Sequence, residues 1–147
     1  MKGYYRAPEL TKAVINAEGW LATGDVGRFD DDDSLHIVGR SKELIIRSGF
    51  NVYPPEVEGV LSAHPKVVQA AVVGAPGGDG NEEVVAYLQV PPADCPSLES
   101  LAAHCAQRLA PYKRPTRYVL CETLPATPTG KILKHRLAAL AQPLPEG

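Results

Sequence analysis

The stretch LIIRSGFNVYPP, residues 44–55, carries two short apolar segments on either side of Ser48-Gly49. Apolar segments that flank a glycine-bearing dipeptide are typical of a tight β-hairpin, and Gly49 can take the positive φ that such a turn requires. Pro54-Pro55 marks the start of a helix, because proline fits the first helical position. The stretch therefore predicts a hairpin followed directly by a helix.

Outward from this stretch, further strand and helix patterns extend almost to the end of the chain. Apolar runs at 67–73 and 84–90 predict buried strands, and we interpret the glycine-rich segment 74–80 between them as a flexible connector. Helices that lie on a small, mostly antiparallel sheet define an α+β domain. The remaining predicted elements are a helix at 98–109 with Ser97 as its N-cap, a strand at 117–121 and a final helix at 132–140.

The first forty residues have a different pattern. Residues 8–14 predict a short amphipathic helix, and residues 26–29 and 35–38 alternate as two strands joined by an aspartate-rich turn. We expect residues 1–42 to be the tail of a large N-terminal domain and residues 43–147 to form a separate C-terminal domain. A β-hairpin segment from the end of a larger domain would then precede the α+β domain.

Composition argues against several classes of function. The formal net charge of −2 over 147 residues gives no reason to expect binding to nucleic acid or to an anionic membrane. The longest apolar run is too short to span a bilayer. The three cysteines are too far apart for a CxxC site and the four histidines are not spaced with another ligand, so we expect no metal site. An odd number of cysteines without a secretory signal predicts reduced thiols and a cytoplasmic location.

Several polar residues have both an ordinary and a functional interpretation. Lys131 is either a surface lysine before a basic helix or a mobile ammonium that bridges a carboxylate and a phosphate. Asp25 fits a turn aspartate that bonds its own backbone, and Arg40 fits a surface salt bridge. Gly49 fits a hairpin glycine. The residue types alone leave these alternatives open.

Read together and in order, four motifs resemble the C-terminal part of the adenylate-forming enzymes. That family includes acyl- and aryl-CoA synthetases, luciferases and the adenylation domains of peptide synthetases. The resemblance covers residues 3–140. The motifs are Thr23-Gly24-Asp25, Gly39-Arg40, Ser48-Gly49-Phe50-Asn51 and the segment PATPTGKI at residues 125–132.

The resemblance implies a role for each motif. Lys131 would be the catalytic residue that contacts the carboxylate and the phosphates of ATP during adenylation. Asp25 would accept hydrogen bonds from the ribose hydroxyls of the nucleotide, and Arg40 would contact the ribose and flank the phosphates. Lys42 would belong to the same nucleotide site and also stands where the family places its hinge.

The hinge implies that the small domain alternates between two orientations. Rotation at Lys42 would present the face with Lys131 for adenylation and the face with Ser48 and Gly49 for thioester formation. In the second orientation the small Gly49 would let the pantetheine arm of CoA pass.

The loop departs from the family in one respect. Many relatives carry a lysine at the position of Ile46, and often another at that of Ser48, to contact the adenylate or CoA. Neither residue is basic here, and Arg47 lies one position out of register. Residues 49–58 look more like the CoA-ligase branch than the peptide-synthetase branch.

We therefore expect the C-terminal part of an acyl-CoA synthetase, an AMP-forming acid–thiol ligase that acts on a small organic, aryl or fatty acid. Its substrates would be the acid, ATP and CoA, with Mg²⁺ bound outside this fragment, and its partner would be the large N-terminal domain. The chain alone would be inactive. Two alternatives remain open: a free-standing domain that acts in trans or as a non-catalytic interaction module, and a fragment of a peptide-synthetase adenylation domain.

Overall fold

The computed structural model describes residues 1–141, and in it the chain divides into two compact units, Met1–Lys42 and Glu43–Gly147. Residues 142–147, which the predicted C-terminal domain includes, lie outside the described part. Within residues 1–141, every helix is too short or too polar to cross a membrane.

The first unit contains one helix and one β-hairpin. Helix α1 spans Pro8–Val14, and strand β1, Asp25–Phe29, pairs antiparallel with β2, Leu35–Arg40. The Asp30 carboxylate accepts two backbone N–H groups of the turn between these strands. The predicted helix, strands and turn are thus confirmed. Among residues 1–42, all of which the structure describes, only Gly39 is buried.

The second unit is built on two small sheets. Strand β3, Ile45–Arg47, and strand β4, Phe50–Val52, form the predicted hairpin. The larger sheet has the order β5-β6-β7, in which β5, Gln69–Pro76, is antiparallel to β6, Glu82–Gln89, and β7, Arg117–Cys121, is parallel to β6. Because β6–β7 is the one parallel pair among the described strands, the prediction of a mostly antiparallel α+β domain is confirmed.

Three helices complete the second unit. Helix α2 spans Pro54–Ser62, α3 spans Leu98–Ala106 and α4 spans Lys134–Ala141. The Ser97 hydroxyl accepts the Ser100 N–H at 3.1 Å, so the predicted N-cap of α3 is confirmed. A capped end satisfies one of the backbone donors that a helix otherwise leaves unpaired.

The boundaries of the predicted connector and of helix α3 are wrong. Strand β5 continues through Pro76, so the connector at 74–80 is shorter than predicted and contains a 3-10 turn at Gly78–Gly80. Helix α3 ends at Ala106 and not at residue 109. At this end the Arg114 guanidinium donates to the carbonyl of Ala106 and so satisfies a terminal acceptor.

Helix α4 begins two residues later than predicted. Ile132 forms an isolated antiparallel bridge with Ala126, which holds it in extended conformation. The helix therefore starts only at Lys134.

The two faces of the larger sheet pack against different elements. Successive side chains of a strand point to opposite faces, and Val72 and Val73 of β5 accordingly belong to different core clusters. The first cluster joins one face to α2, α3 and, through Ile45 and Val52, to the β3–β4 hairpin. The second cluster joins the opposite face to α4 and to Ile132.

Candidate functional site

The Ser48-Gly49 turn is a two-residue hairpin loop. Arg47 pairs with Phe50 across it, and Ser48 and Gly49 have φ values of +51° and +79°. Two consecutive positive φ values define the mirror-image turn that matches the twist of paired strands. The predicted positive φ of Gly49 is confirmed, whereas the left-handed conformation of Ser48 is a feature that the sequence pattern did not indicate.

Lys131 lies on a second hairpin and not on an irregular loop. The carbonyl of Thr127 accepts the Gly130 N–H at 2.9 Å, and the Thr127 N–H donates to the carbonyl of Lys131 at 2.8 Å. Gly130 takes φ +84°, and Pro128 occupies the turn position that proline favours. The Thr127 hydroxyl also accepts the Lys131 N–H. The exposed Lys131 side chain thus projects from an ordered backbone.

The two hairpins of the second unit lie against opposite faces of its larger sheet. Ile45 of the first hairpin packs in the cluster that contains Val72, whereas Ile132, next to Lys131, packs in the cluster that contains Val73. The hairpin with Ser48 and Gly49 and the hairpin with Lys131 are therefore joined to different core clusters of the second unit.

In the first unit, Asp25 and Arg40 form an ion pair. They face each other in the β1–β2 register, and the Arg40 Nε donates to Asp25 Oδ1 at 2.9 Å. The simple interpretation of Arg40 as a salt-bridge residue is confirmed. That of Asp25 is wrong in detail, because its carboxylate binds Arg40, while its backbone N–H donates to the Thr23 hydroxyl. Both side chains remain partly exposed.

Lys42 lies between Ser41 and Glu43, and both of these neighbours make hydrogen bonds within their own unit. Lys42 itself is exposed within a 3-10 turn, Ser41–Glu43. The Ser41 N–H and hydroxyl both donate to the carbonyl of Gly24 in the first unit. Glu43 accepts from Lys134 in the second unit.

Lys134 is a residue that the motif comparison missed. Its ammonium lies 2.8 Å from the carboxylates of both Glu43 and Glu58, and Glu58 also accepts the Val72 N–H of β5. Burial alone lowers the pKa of Lys134, but the hydrogen bonds and charges of the two carboxylates outweigh it, so the pKa is raised overall. Lys134 therefore stays charged and ties α4, α2 and the start of the second unit together.

Arg47 does not replace the lysine that relatives carry near this position. Its guanidinium donates to the carbonyls of Tyr112 and Arg114, at 3.3 and 2.7 Å, so its charge is held by the backbone of another segment. The neighbouring Ile46 is half exposed and apolar. Among residues 1–141, no group of three or more His, Cys, Asp or Glu side chains is arranged to hold a metal ion.

One protein family matches a part of the second unit. Residues 56–131 match the AMP-binding enzyme C-terminal domain. The chain belongs to this family.

Similar proteins are CoA ligases of greater length. The chain is 41% identical over 137 residues to sulfoacetate–CoA ligase from Cupriavidus necator, a match that covers 93% of this chain and 27% of that protein. It is 42% identical to long-chain-fatty-acid–CoA ligase from Bacillus subtilis, over 93% of this chain and 24% of the relative. The chain thus spans about a quarter of the length of these curated relatives.

A solved structure shows the same fold. The ATP-bound MatB from Rhodopseudomonas palustris superposes with a TM-score of 0.85 at 36% identity, over 95% of this chain and 28% of that chain.

Proposed function

We propose that this chain is the C-terminal part of an AMP-forming acid–thiol ligase. The whole enzyme would convert a carboxylate and ATP to an acyl-adenylate and pyrophosphate, and the thiolate of CoA would then displace AMP. Adenylation supplies the leaving group that a bare carboxylate lacks. The family match and the CoA ligases among the relatives support this reaction.

The observation that carries the proposal is the placement of two glycine-containing hairpins on opposite faces of one sheet. Both belong to one compact unit and are joined to different core clusters, and we propose that they serve one reaction centre in turn. A unit that rotates at Lys42 would bring first the Lys131 hairpin and then the Ser48-Gly49 hairpin to that centre. The boundary between the compact units, which falls directly after Lys42, supports this hinge.

Lys131 would act in the first half-reaction. Its ammonium would lie between the attacking carboxylate and the phosphates of ATP, where it offsets the repulsion of two anions and the charge that develops in the transition state. The hairpin holds the backbone of Lys131 while its exposed side chain remains free to reach a ligand. We propose that Mg²⁺ accompanies the ATP and is bound by groups outside this fragment.

Asp25 and Arg40 would bind the nucleotide of ATP, with Lys42 beside them. Arg40 donates to Oδ1 of Asp25, so Oδ2 would accept a ribose hydroxyl without loss of the ion pair. The Arg40 side chain is 59% exposed and can turn its remaining donors towards the phosphates.

The exposed apolar residues of the first unit support a larger partner domain. Trp20, Phe29 and Ile37 are 74%, 67% and 62% exposed, although side chains of this kind are normally covered. We propose that the large N-terminal domain of the same enzyme covers them. The three free cysteines fit a reducing compartment, and we place the enzyme in the cytoplasm.

The experiment that tests the proposal is a chimera. Residues 1–147 would replace the matching quarter of the sulfoacetate–CoA ligase, and the chimera would be assayed with sulfoacetate, ATP and CoA. We expect ATP–pyrophosphate exchange and CoA-dependent AMP release. Lys131→Ala should lower exchange by at least about 100-fold, because the loss of one such electrostatic group has this order of effect. The matched control Lys12→Ala, an exposed lysine in the first unit, should keep full activity.

Other outcomes would favour the alternatives. Undiminished exchange in Lys131→Ala would contradict the catalytic role of this lysine. Exchange without transfer to CoA would favour a peptide-synthetase fragment. A folded chimera without exchange would favour an interaction module or a domain that acts in trans. The chain alone should catalyse no exchange, and clear exchange that depends on Lys131 would contradict the proposal that it is one part of a longer enzyme.

A further inference from the structure

The Ser48-Gly49 turn is braced on one side by the start of strand β6. The Ser48 N–H donates to Asn81 Oδ1 at 2.9 Å, and the Ile46 N–H donates to Glu82 Oε2 at 2.6 Å. Both acceptors come from adjacent residues, and both donors are backbone groups of the hairpin. The brace therefore fixes main-chain position and does not depend on the side chains of the hairpin.

On the other side, the segment that follows helix α3 holds the same hairpin. The Arg47 guanidinium donates to the carbonyls of Tyr112 and Arg114, and the Phe50 ring stacks on the Tyr112 ring with centroids 4.6 Å apart. The two residues that flank the turn are therefore both attached to one segment. Lys113 between these contacts is itself paired with a carboxylate of α2 at 2.6 Å.

These contacts hold Ser48 in a conformation that it would not favour alone. A left-handed φ is unfavourable for an L-residue, and the hydrogen bond from the Ser48 N–H to Asn81 offsets part of this cost. Without the bond, the turn would visit other conformations. With it, the turn is already ordered before a ligand arrives, which reduces the loss of conformational freedom on binding.

We propose that Asn81 and Arg47 are positioning residues for the thioester half-reaction. The inference rests on the proposed function, because it concerns the Ser48-Gly49 turn as the place where the pantetheine arm passes. Asn81 holds the tip of the turn and Arg47 holds its base, so that the backbone at Gly49 lies at a fixed distance from the passing thiol. In this chain, fixed main-chain geometry stands where many relatives place a lysine at the position of Ile46.

The test combines one measurement on the full chain with one on the chimera. Amide hydrogen exchange of the 147-residue chain reports the Ser48 N–H directly, and Asn81→Ala should raise its exchange rate by about fivefold to tenfold. In the chimera, the same variant should lower kcat/KM for CoA by a similar factor, while ATP–pyrophosphate exchange changes less than about twofold. Asn81→Asp, which keeps the acceptor oxygen, should restore CoA turnover. Arg47→Met, which keeps the alkyl stem, should lower CoA turnover in the same selective way.

Each outcome decides between support and refutation. Glu83→Ala, at an exposed position of strand β6 two residues after Asn81, is the matched control and should leave both half-reactions unchanged. Equal loss of both half-reactions in Asn81→Ala would show a general structural role and overturn the proposal. Faster Ser48 exchange with unchanged CoA turnover would also overturn it. A wild-type chimera that adenylates but forms no thioester would instead show that the proposed function itself is wrong in its second step.

Discussion

Replacement of Lys134 by methionine should destabilise the second unit by about 2 kcal/mol. The substitution keeps an unbranched apolar side chain one atom shorter than lysine and removes two ion pairs of 2.8 Å, which leaves the carboxylates of Glu43 and Glu58 without their shared cation. Loss of one partner costs about 3–5 kcal/mol for a buried pair and about 0–1 kcal/mol for an exposed pair. The side chains of Lys134, Glu43 and Glu58 are 23%, 38% and 19% exposed, so an intermediate value applies.

The assay is urea unfolding at neutral pH, followed by circular dichroism of the helices. Three of the four described α-helices lie in the second unit, so this signal reports mainly on it. A loss of about 2 kcal/mol should lower the unfolding midpoint by about 1 M urea. In the folded state the pKa of Lys134 lies above its ordinary value of 10.5. The stabilising contribution of Lys134 is therefore fully present below pH 10.5 and is lost only as the pH rises through the folded-state pKa.

A second variant separates charge from packing. Lys134→Met combined with Glu43→Gln and Glu58→Gln should recover much of the lost stability, because no partly buried carboxylate then lacks a partner. Glu58→Gln still offers an oxygen to the Val72 N–H. The exposed pair of Lys12 supplies the control, and Lys12→Met should leave the midpoint unchanged. If Lys134→Met unfolded at the wild-type midpoint, the two ion pairs would contribute nothing to stability and the reasoning would be wrong.

Three further predictions concern single residues. Burial, together with the charges of His104 and Lys66, lowers the pKa of His64 below 6.5, so the unfolded state binds more protons than the folded state. The urea midpoint should therefore fall as pH drops from about 8 to about 5, and it should fall less in His64→Gln. An equal fall in the variant would refute this role of His64. Gly59→Ala should raise the free energy of unfolding by about 0.5–1 kcal/mol, because an added Cβ at this site in α2 meets no atom within 4 Å, and an unchanged or lower midpoint would contradict this. Gly130→Ala should lower it by about 1 kcal/mol because of its φ of +84°, and a thermal melt that shows no loss would exclude strain at this turn.

Elements that depend on local chemistry were predictable from the sequence. The Ser48-Gly49 hairpin follows from a glycine between two apolar segments, and the cap of α3 follows from a serine ahead of a helical repeat. Element ends were less predictable, because distant residues determine them. Helix α3 stops at Ala106, whose carbonyl binds Arg114, and no local signal at Ala106 indicates this partner.

The residues of the candidate site are likewise of two kinds, those that a local motif identifies and those that only long-range contacts identify. The residues in motifs, such as Lys131 and Asp25, can be selected from the sequence because the motif itself is local. Asn81 and Lys134 belong to no motif and act on residues 33 and 91 positions away, so only the folded chain brings them to their partners. Arg47 lies one position out of register with the lysine of relatives, and only its contacts with two carbonyls show where its guanidinium is bound.

The hydrogen bonds of Ser41 and Glu43, on either side of Lys42, limit where the proposed rotation can occur. Ser41 is bonded through its N–H and its hydroxyl to Gly24 of the first unit, and Glu43 is bonded to Lys134 of the second. A change of orientation between the units that keeps these bonds must therefore be concentrated in the backbone dihedral angles at and beside Lys42. Both hairpins are braced within the second unit, so neither needs to rearrange when the unit turns. A rotation confined to this short stretch would thus present the Lys131 hairpin and the Ser48-Gly49 hairpin in turn, and neither hairpin would have to change its own conformation.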